Sequence, residues 1–158
     1  MENKVTEVKK TVQKRMEPEL KLINMDKVEV EQIEWLLYPF IPYGKVTIIQ
    51  GDPGEGKTTM VLQIIAKLTR GEAILPTVSL TDDKENAEAP VNVIYQTAED
   101  GLGDTIKPRL LAAGADCSKV LVIDDTDQPL TMADIRLEEA IIQTKARMVV
   151  LDRIQGFL

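Results

Sequence analysis

A glycine-rich stretch in the first half of the chain carries residue types that bind phosphate. Residues 51–58 read Gly-Asp-Pro-Gly-Glu-Gly-Lys-Thr and fit the pattern G-x-x-x-x-G-K-[ST] at every fixed position. Glycines let the backbone turn sharply, so that successive N–H groups can point at phosphate oxygens. Lys57 supplies a full positive charge for the β- and γ-phosphates, and the Thr58 hydroxyl is suited to coordinate Mg²⁺. The stretch therefore predicts a site for a nucleoside triphosphate with Mg²⁺. The residues predicted to contact the phosphates are Gly51, Asp52, Pro53, Gly54, Glu55, Gly56, Lys57, Thr58 and Thr59.

Acidic residues that could complete such a site follow three later apolar runs of the chain. One acid must hold the magnesium shell, and one carboxylate must orient the attacking water. In one assignment Asp152 holds the magnesium and Glu99 orients the water. In the other, Asp124 holds the magnesium and Asp125 is the catalytic acid. Because the carboxyl ends of parallel strands share one sheet edge, the pattern alone leaves both assignments open.

The elements that must position these residues alternate between strand and helix. Short apolar runs predict strands at 45–50, 91–97, 119–123 and 148–151. Helical spacing predicts helices at 59–68, 105–113 and 133–145, the last with Thr131 as its N-cap. Between them, residues 79–90 are polar and predict a solvated loop. The alternation predicts an α/β fold, with a parallel sheet and helices on both faces.

Three stretches of the chain resemble RecA-like ATPases of the RepA hexameric helicase type, which are AAA family ATPases of phages and plasmids. They are residues 41–47 before the glycine-rich loop, residues 95–100 (Tyr-Gln-Thr-Ala-Glu-Asp), and residues 149–155 (Val-Val-Leu-Asp-Arg-Ile-Gln). The resemblance covers roughly residues 35–158 and implies a RecA-like P-loop NTPase. It implies that Glu99 is the catalytic carboxylate, acting with Lys57, and that Asp152 is the magnesium-binding Walker B acid. It further implies ATP as substrate, Mg²⁺ as cofactor, a hexameric ring and a role on DNA in replication or recombination.

The chain departs from that family in ways that set further expectations. The family continues with more strands, so we expect a chain truncated after the Walker B acid, with C-terminal strands missing. We accordingly expect Asp152 to be poorly placed relative to Thr58, and ATP turnover by this chain alone to be very slow. Arg153 and Arg109 are expected to be surface or salt-bridged residues rather than nucleotide ligands. Two alternatives remain open: an ATP-binding regulatory switch with little turnover, and a small-molecule kinase, which the lack of arginine in residues 79–90 disfavours.

Composition bounds the remaining possibilities. The 158 residues suffice for one domain, which we place at 21–158 behind a charged leader at 1–20. The net charge of −7 argues against a surface that coats nucleic acid non-specifically. The chain has a single cysteine, Cys117, and no histidine, which excludes intrachain disulfides and His-based metal sites. No apolar run approaches the roughly 18 residues of a membrane span, and we expect a cytoplasmic protein that does not bind membranes.

Overall fold

A computed structural model describes residues 20–75 and 89–158. Contacts divide the chain into two units, one ending at Glu34 and the other spanning Trp35–Leu158. The described part of the first unit contains one 3₁₀ turn, Met25–Lys27, and its side chains are exposed. Apart from Leu20, the predicted leader lies outside the described residues, as do residues 79–88 of the predicted loop.

The second unit opens with a short antiparallel pair of strands, β1 (Trp35–Leu37) and β2 (Ile41–Pro42). The turn between them is closed by the N–H of Phe40, which donates to the Leu37 carbonyl at 2.7 Å. Leu36, Leu37 and Ile41 pack against the hydrophobic core. This region is therefore a packed entry segment, although the Phe40 side chain is 63% exposed.

Helix α1, Lys57–Arg70, contributes most of the core. Its apolar residues recur at helical spacing, so that one face of the helix is buried. The helix ends at Gly71, whose left-handed φ of 69° lets its N–H bond back to the Leu68 carbonyl. The helix predicted at 59–68 is confirmed, with two more residues at each end. Its buried members are Val61, Leu62, Ile64, Ile65, Ala66, Leu68 and Thr69.

Three parallel strands form the sheet: β3 (Val93–Thr97), β4 (Val120–Leu121) and β5 (Met148–Asp152). Their spatial order is β4-β3-β5, and β5 pairs with β3 over five residues, from Val93↔Met148 to Thr97↔Asp152. Val93 and Tyr95 lie on one face of β3 and pack with buried residues of α1. Together with Ile106 and Leu110 they form the core cluster, whose α1 members are Val61, Leu62, Ile64, Ile65 and Leu68.

A buried glutamine extends the pairing between β3 and β4. The Gln96 side chain is 1% exposed, so its amide requires hydrogen-bond partners. It donates to the Ile123 carbonyl at 2.9 Å and accepts from the Ile123 N–H at 3.1 Å. The Gln96 side chain thereby pairs with the backbone of Ile123, two residues beyond the end of β4, as a neighbouring strand would.

Helix α2, Lys107–Ala112, follows a π-helical turn at Leu102–Ile106 and packs on α1 through the buried residues Ile106 and Leu110. Helix α3, Ile135–Thr144, contains no fully buried residue. Short 3₁₀ turns at Cys117–Lys119 and Ile154–Phe157 complete the described elements. The core cluster thus places α1 and α2 on one face of the sheet, while helices on both faces stay a prediction.

Two sequence predictions about these elements are wrong. Residues 45–50 are not a strand, and within the described ranges they pair with none; Val46 and Ile48 are 75% and 70% exposed. Apolar character alone does not make a strand, because its backbone needs a hydrogen-bonded neighbour. The N-cap of α3 is Asp134, not Thr131, since the Asp134 carboxylate accepts from the Arg136 N–H at 2.9 Å.

Candidate functional site

The predicted phosphate-binding loop lies exposed ahead of α1. Gly54 and Gly56 adopt left-handed φ angles of 86° and 82°, which residues with a Cβ rarely adopt. A Cβ at either position would meet no other atom, so the glycines are required for their backbone conformation. Helix α1 begins directly afterwards at Lys57, and its first N–H groups have no intrahelical partner. The loop and helix together offer the backbone donors that a phosphate needs.

Lys57 directs its ammonium group back over this loop. Its Nζ donates to the carbonyl oxygens of Gly51 at 2.8 Å and Asp52 at 2.7 Å. Within the loop, the Glu55 carboxylate accepts from the Asp52 N–H at 2.8 Å. These contacts hold a positive charge at the loop without using the N–H groups at the start of α1.

Asp152 is brought to the loop by the sheet. It ends β5 opposite Thr97, and its carbonyl accepts from the Ala98 N–H at 2.9 Å. The Thr58 hydroxyl donates to Asp152 Oδ2 at 3.1 Å. The expectation that Asp152 would be poorly placed relative to Thr58 is therefore wrong. Five residues of pairing with β3 fix the end of β5.

Tyr95, which sequence reasoning missed as a site residue, reaches the same carboxylate oxygen. Its side chain is completely buried, and its hydroxyl donates to Asp152 Oδ2 at 2.9 Å. Burial, together with the hydrogen bond to Asp152, raises the pKa of Tyr95 well above its usual value. The hydroxyl therefore keeps its proton and acts as a donor. The sequence did hold one signal that Tyr95 faces the site. Tyr95 lies two residues from both Val93 and Thr97, so these three residues share one face of a strand that ends at the site.

Glu99 follows β3 and forms an ion pair with Arg153, which follows β5. The turn is shaped by the Thr97 hydroxyl, which accepts from the N–H groups of Glu99 at 3.3 Å and Asp100 at 3.1 Å. Both charged side chains remain largely accessible, at 45% for Glu99 and 65% for Arg153. Arg153 is therefore salt-bridged, which is one of the two surface roles expected for it, and its partner is the residue predicted to orient water.

The rival acids are placed elsewhere. Asp124 accepts from the N–H and hydroxyl of Thr126, at 3.1 and 2.7 Å, and these bonds lower its pKa below the usual value. Among the described residues neither Asp124 nor Asp125 bonds to Thr58, and both follow β4, which lies across β3 from β5. The geometry therefore brings Asp152, and not Asp124, to the phosphate-binding loop. Arg109 is exposed on α2, as expected.

Comparison with known proteins identifies the family of the chain. The family model for the AAA domain matches residues 12–158. The chain belongs to the AAA domain family. Membership implies a nucleotide-binding P-loop ATPase, in keeping with a parallel sheet that has helices packed on it. A search of curated proteins and a search of solved structures returned no match.

The oxygen donors beside the phosphate-binding loop suit a magnesium ion that is shared with a nucleotide. They do not suit a metal ion that is held by protein side chains alone. Within residues 20–75 and 89–158, no group of three or more His, Cys, Asp or Glu side chains could hold a metal. The Thr58 hydroxyl and the Asp152 carboxylate instead supply two hard oxygen donors beside the loop. Mg²⁺ prefers such a set, keeping several waters and sharing the phosphates of its nucleotide.

No helix in the described part of the chain is long and apolar enough to cross a membrane.

Proposed function

We propose that this AAA domain binds MgATP at residues 51–59 and hydrolyses its β–γ bond with Glu99 and Lys57. The observation that supports the proposal most directly is the hydrogen bond from Thr58 to Asp152, which joins the phosphate-binding loop to an acid at the carboxyl edge of the sheet. That edge is where ligands bind in open α/β sheets. The family membership supports the same class of activity.

Each residue has a distinct role in this proposal. Lys57 exchanges its bonds to the loop carbonyls for the β- and γ-phosphates, and the free N–H groups at the start of α1 face the same anion. Thr58 and Asp152 hold Mg²⁺, which offsets negative charge on the phosphates when bound. Glu99 orients a water molecule in line with the γ-phosphorus, two residues beyond the strand position that pairs with Asp152.

The resemblance to RepA-type helicases extends the proposal to the setting of this reaction. We propose that the domain works as a homo-oligomeric ring, hexameric as in that family, in cytoplasmic DNA replication or recombination. We expect single-stranded DNA to stimulate ATP turnover. We also expect light scattering to show that ATP increases the mass of the assembly.

A regulatory switch with little turnover is the second candidate, and the ion pair between Glu99 and Arg153 favours it. A carboxylate held by an arginine is less available to orient water. Slow turnover that DNA does not change would identify the switch.

The binding test compares Lys57→Ala with Lys45→Ala, which removes an exposed lysine ahead of the loop. Titration with a fluorescent ATP analogue should show a severe loss of affinity for Lys57→Ala, because a full charge leaves the phosphate site, and none for Lys45→Ala. Equal affinities would refute the site.

The acid assignment is tested by phosphate release with single-stranded DNA present and at protein concentrations that favour assembly, because turnover by the chain alone is expected to be very slow. Glu99→Gln should retain ATP and lose phosphate release, because an amide is nearly isosteric with a carboxylate but a far poorer base. Asp125→Asn should behave like the parent. The opposite pattern would assign the reaction to the acids that follow β4.

A further inference from the structure

Tyr95 and Thr58 approach Asp152 from different parts of the fold and meet at one atom. Both hydroxyls donate to Asp152 Oδ2, at 2.9 and 3.1 Å. Thr58 comes from the first turn of α1, whereas Tyr95 comes from the centre of the sheet. Oδ2 is thus occupied by two donors, while Oδ1 has no hydrogen-bond partner among the described residues.

The two donors differ in what holds them. The Tyr95 ring is completely buried in the core cluster beside Val93 and α1, so its hydroxyl cannot move without disturbing the core. Thr58 belongs to the helix turn that must also meet the ligand. Strand pairing fixes the backbone of Asp152, but its carboxylate can still rotate about two side-chain bonds. Tyr95 is therefore the rigid contact that selects the direction of the carboxylate.

We propose that Tyr95 is a positioning residue for the magnesium site, holding the Asp152 carboxylate so that nucleotide binding by this chain depends on Mg²⁺. The inference rests on the proposed function and assigns a role to a residue outside the loop motif. Partners that orient a metal-binding side chain commonly change metal affinity by about 10–100-fold when removed.

A purely structural role for the hydroxyl makes a different prediction. A buried phenol needs a hydrogen-bond partner, and Asp152 could serve only to satisfy it. Removing the hydroxyl would then alter stability without altering how Mg²⁺ affects nucleotide affinity. The two roles separate in the ratio of nucleotide dissociation constants measured with and without Mg²⁺.

The experiment measures that ratio for the parent chain, Tyr95→Phe and Tyr38→Phe. Tyr38 is 71% exposed and serves as the matched control. A fluorescent ATP analogue is titrated in Mg²⁺ and again in EDTA. In EDTA we expect Tyr95→Phe to bind the nucleotide analogue like the parent. Mg²⁺ should raise the affinity of Tyr95→Phe by a factor about tenfold smaller than it does for the parent. In an Asp152→Asn background, Tyr95→Phe should have no further effect on the ratio.

The outcomes distinguish this inference from the proposed function. Nucleotide binding that is unaffected by Lys57→Ala would reject the proposed function itself. Binding that requires Lys57, with the same Mg²⁺ ratio in Tyr95→Phe as in the parent, would reject the role of Tyr95 alone.

A second measurement avoids any variant at Tyr95. The chain has three tyrosines, Tyr38, Tyr43 and Tyr95, and uniform 3-fluorotyrosine labelling leaves the hydroxyls in place. Tyr38→Phe and Tyr43→Phe assign their own ¹⁹F signals and leave that of Tyr95. We expect this signal to shift with nucleotide and Mg²⁺ but not with nucleotide and EDTA. An unchanged signal at saturation would overturn the inference.

Discussion

At the scale of single residues, the sequence reveals the site where motif and spacing determine chemistry. Lys57, Thr58 and the two positive-φ glycines belong to a motif whose backbone and charge requirements are specific. Spacing alone left Asp152 and Asp124 open, and the family resemblance favoured Asp152. Strand order and the hydrogen bond from Thr58 place Asp152, not Asp124, beside the loop. Tyr95 was missed because an aromatic residue in an apolar strand has the pattern of a core residue. Only its hydrogen bond to Asp152 distinguishes it.

The left-handed backbone at Gly54 makes a prediction at this scale. Gly54→Ala should weaken nucleotide affinity about tenfold. The exposed loop of the free variant can leave the left-handed conformation, and returning to it on binding costs a residue with a Cβ about 1–2 kcal/mol. The midpoint of thermal unfolding should stay within about a degree, since the loop is exposed and contributes little to the core. Isothermal titration and calorimetry provide the two measurements.

Gly103→Ala is the control, because a Cβ there meets no other atom and the residue has no positive φ. An unchanged affinity in Gly54→Ala would mean that the loop changes shape at this residue when it binds nucleotide.

At the scale of elements, prediction succeeded where a segment carries its own signals. Helix α1 has a glycine at each end and a continuous apolar face, and β3 and β5 each begin with a short apolar run, so all three were identified to within a few residues. Residues 45–50 also contain apolar residues at strand spacing but form no strand, because pairing depends on a neighbour elsewhere in the chain. The N-cap of α3 was placed three residues early because Thr131 and Asp134 are both acceptable cap residues.

The cap of α3 predicts a dependence of stability on pH. Hydrogen bonds from Arg136 hold the pKa of Asp134 below its usual value. A lowered pKa in the folded state means that the ionised carboxylate stabilises the fold at neutral pH and loses this effect as the pH falls through the folded pKa. Asp134→Ala should therefore lower the unfolding midpoint at pH 7, with the difference from the parent shrinking below about pH 4.

Thr131→Ala is the matched control and should unfold like the parent at both pH values, because the Thr131 side chain caps no helix among the described residues. A larger loss in Thr131→Ala than in Asp134→Ala would return the cap to the position favoured by sequence.

At the scale of the whole molecule, stability is concentrated where α1, α2 and β3 meet. The core cluster is drawn from these elements and from Ile106 in the turn before α2, whereas α3 contributes no residue to it. The aliphatic character of this cluster follows from a composition with 4% aromatic residues. The spacing of apolar residues predicts which face of each helix is buried. It does not predict that α1 contributes many core residues and α3 none, since both helices have amphipathic patterns.

Two isoleucines test this distribution. Ile65 on α1 is completely buried, and Ile142 on α3 is 68% exposed. Ile65→Ala should reduce the free energy of unfolding by about 2–5 kcal/mol, through lost burial and the cavity left behind. Ile142→Ala should change it by less than about 0.5 kcal/mol. Urea unfolding followed by circular dichroism compares them, and similar losses would show that α3 is buried in solution.

The unpaired residues 45–50 have a thermodynamic consequence for the loop that follows them. The loop is followed by α1, whose buried face anchors the C-terminal end of the loop. It is preceded by residues 45–50, which pair with no described strand. A ligand that fixes the loop must also restrict that segment, so part of the interaction free energy offsets lost backbone entropy, at roughly 1–2 kcal/mol per residue ordered. Anything that paired with these amides beforehand would remove that cost and tighten nucleotide binding. By linkage, nucleotide would tighten the pairing by the same factor. On this reasoning we expect the affinity of the domain for nucleotide to depend partly on residues that need never touch it.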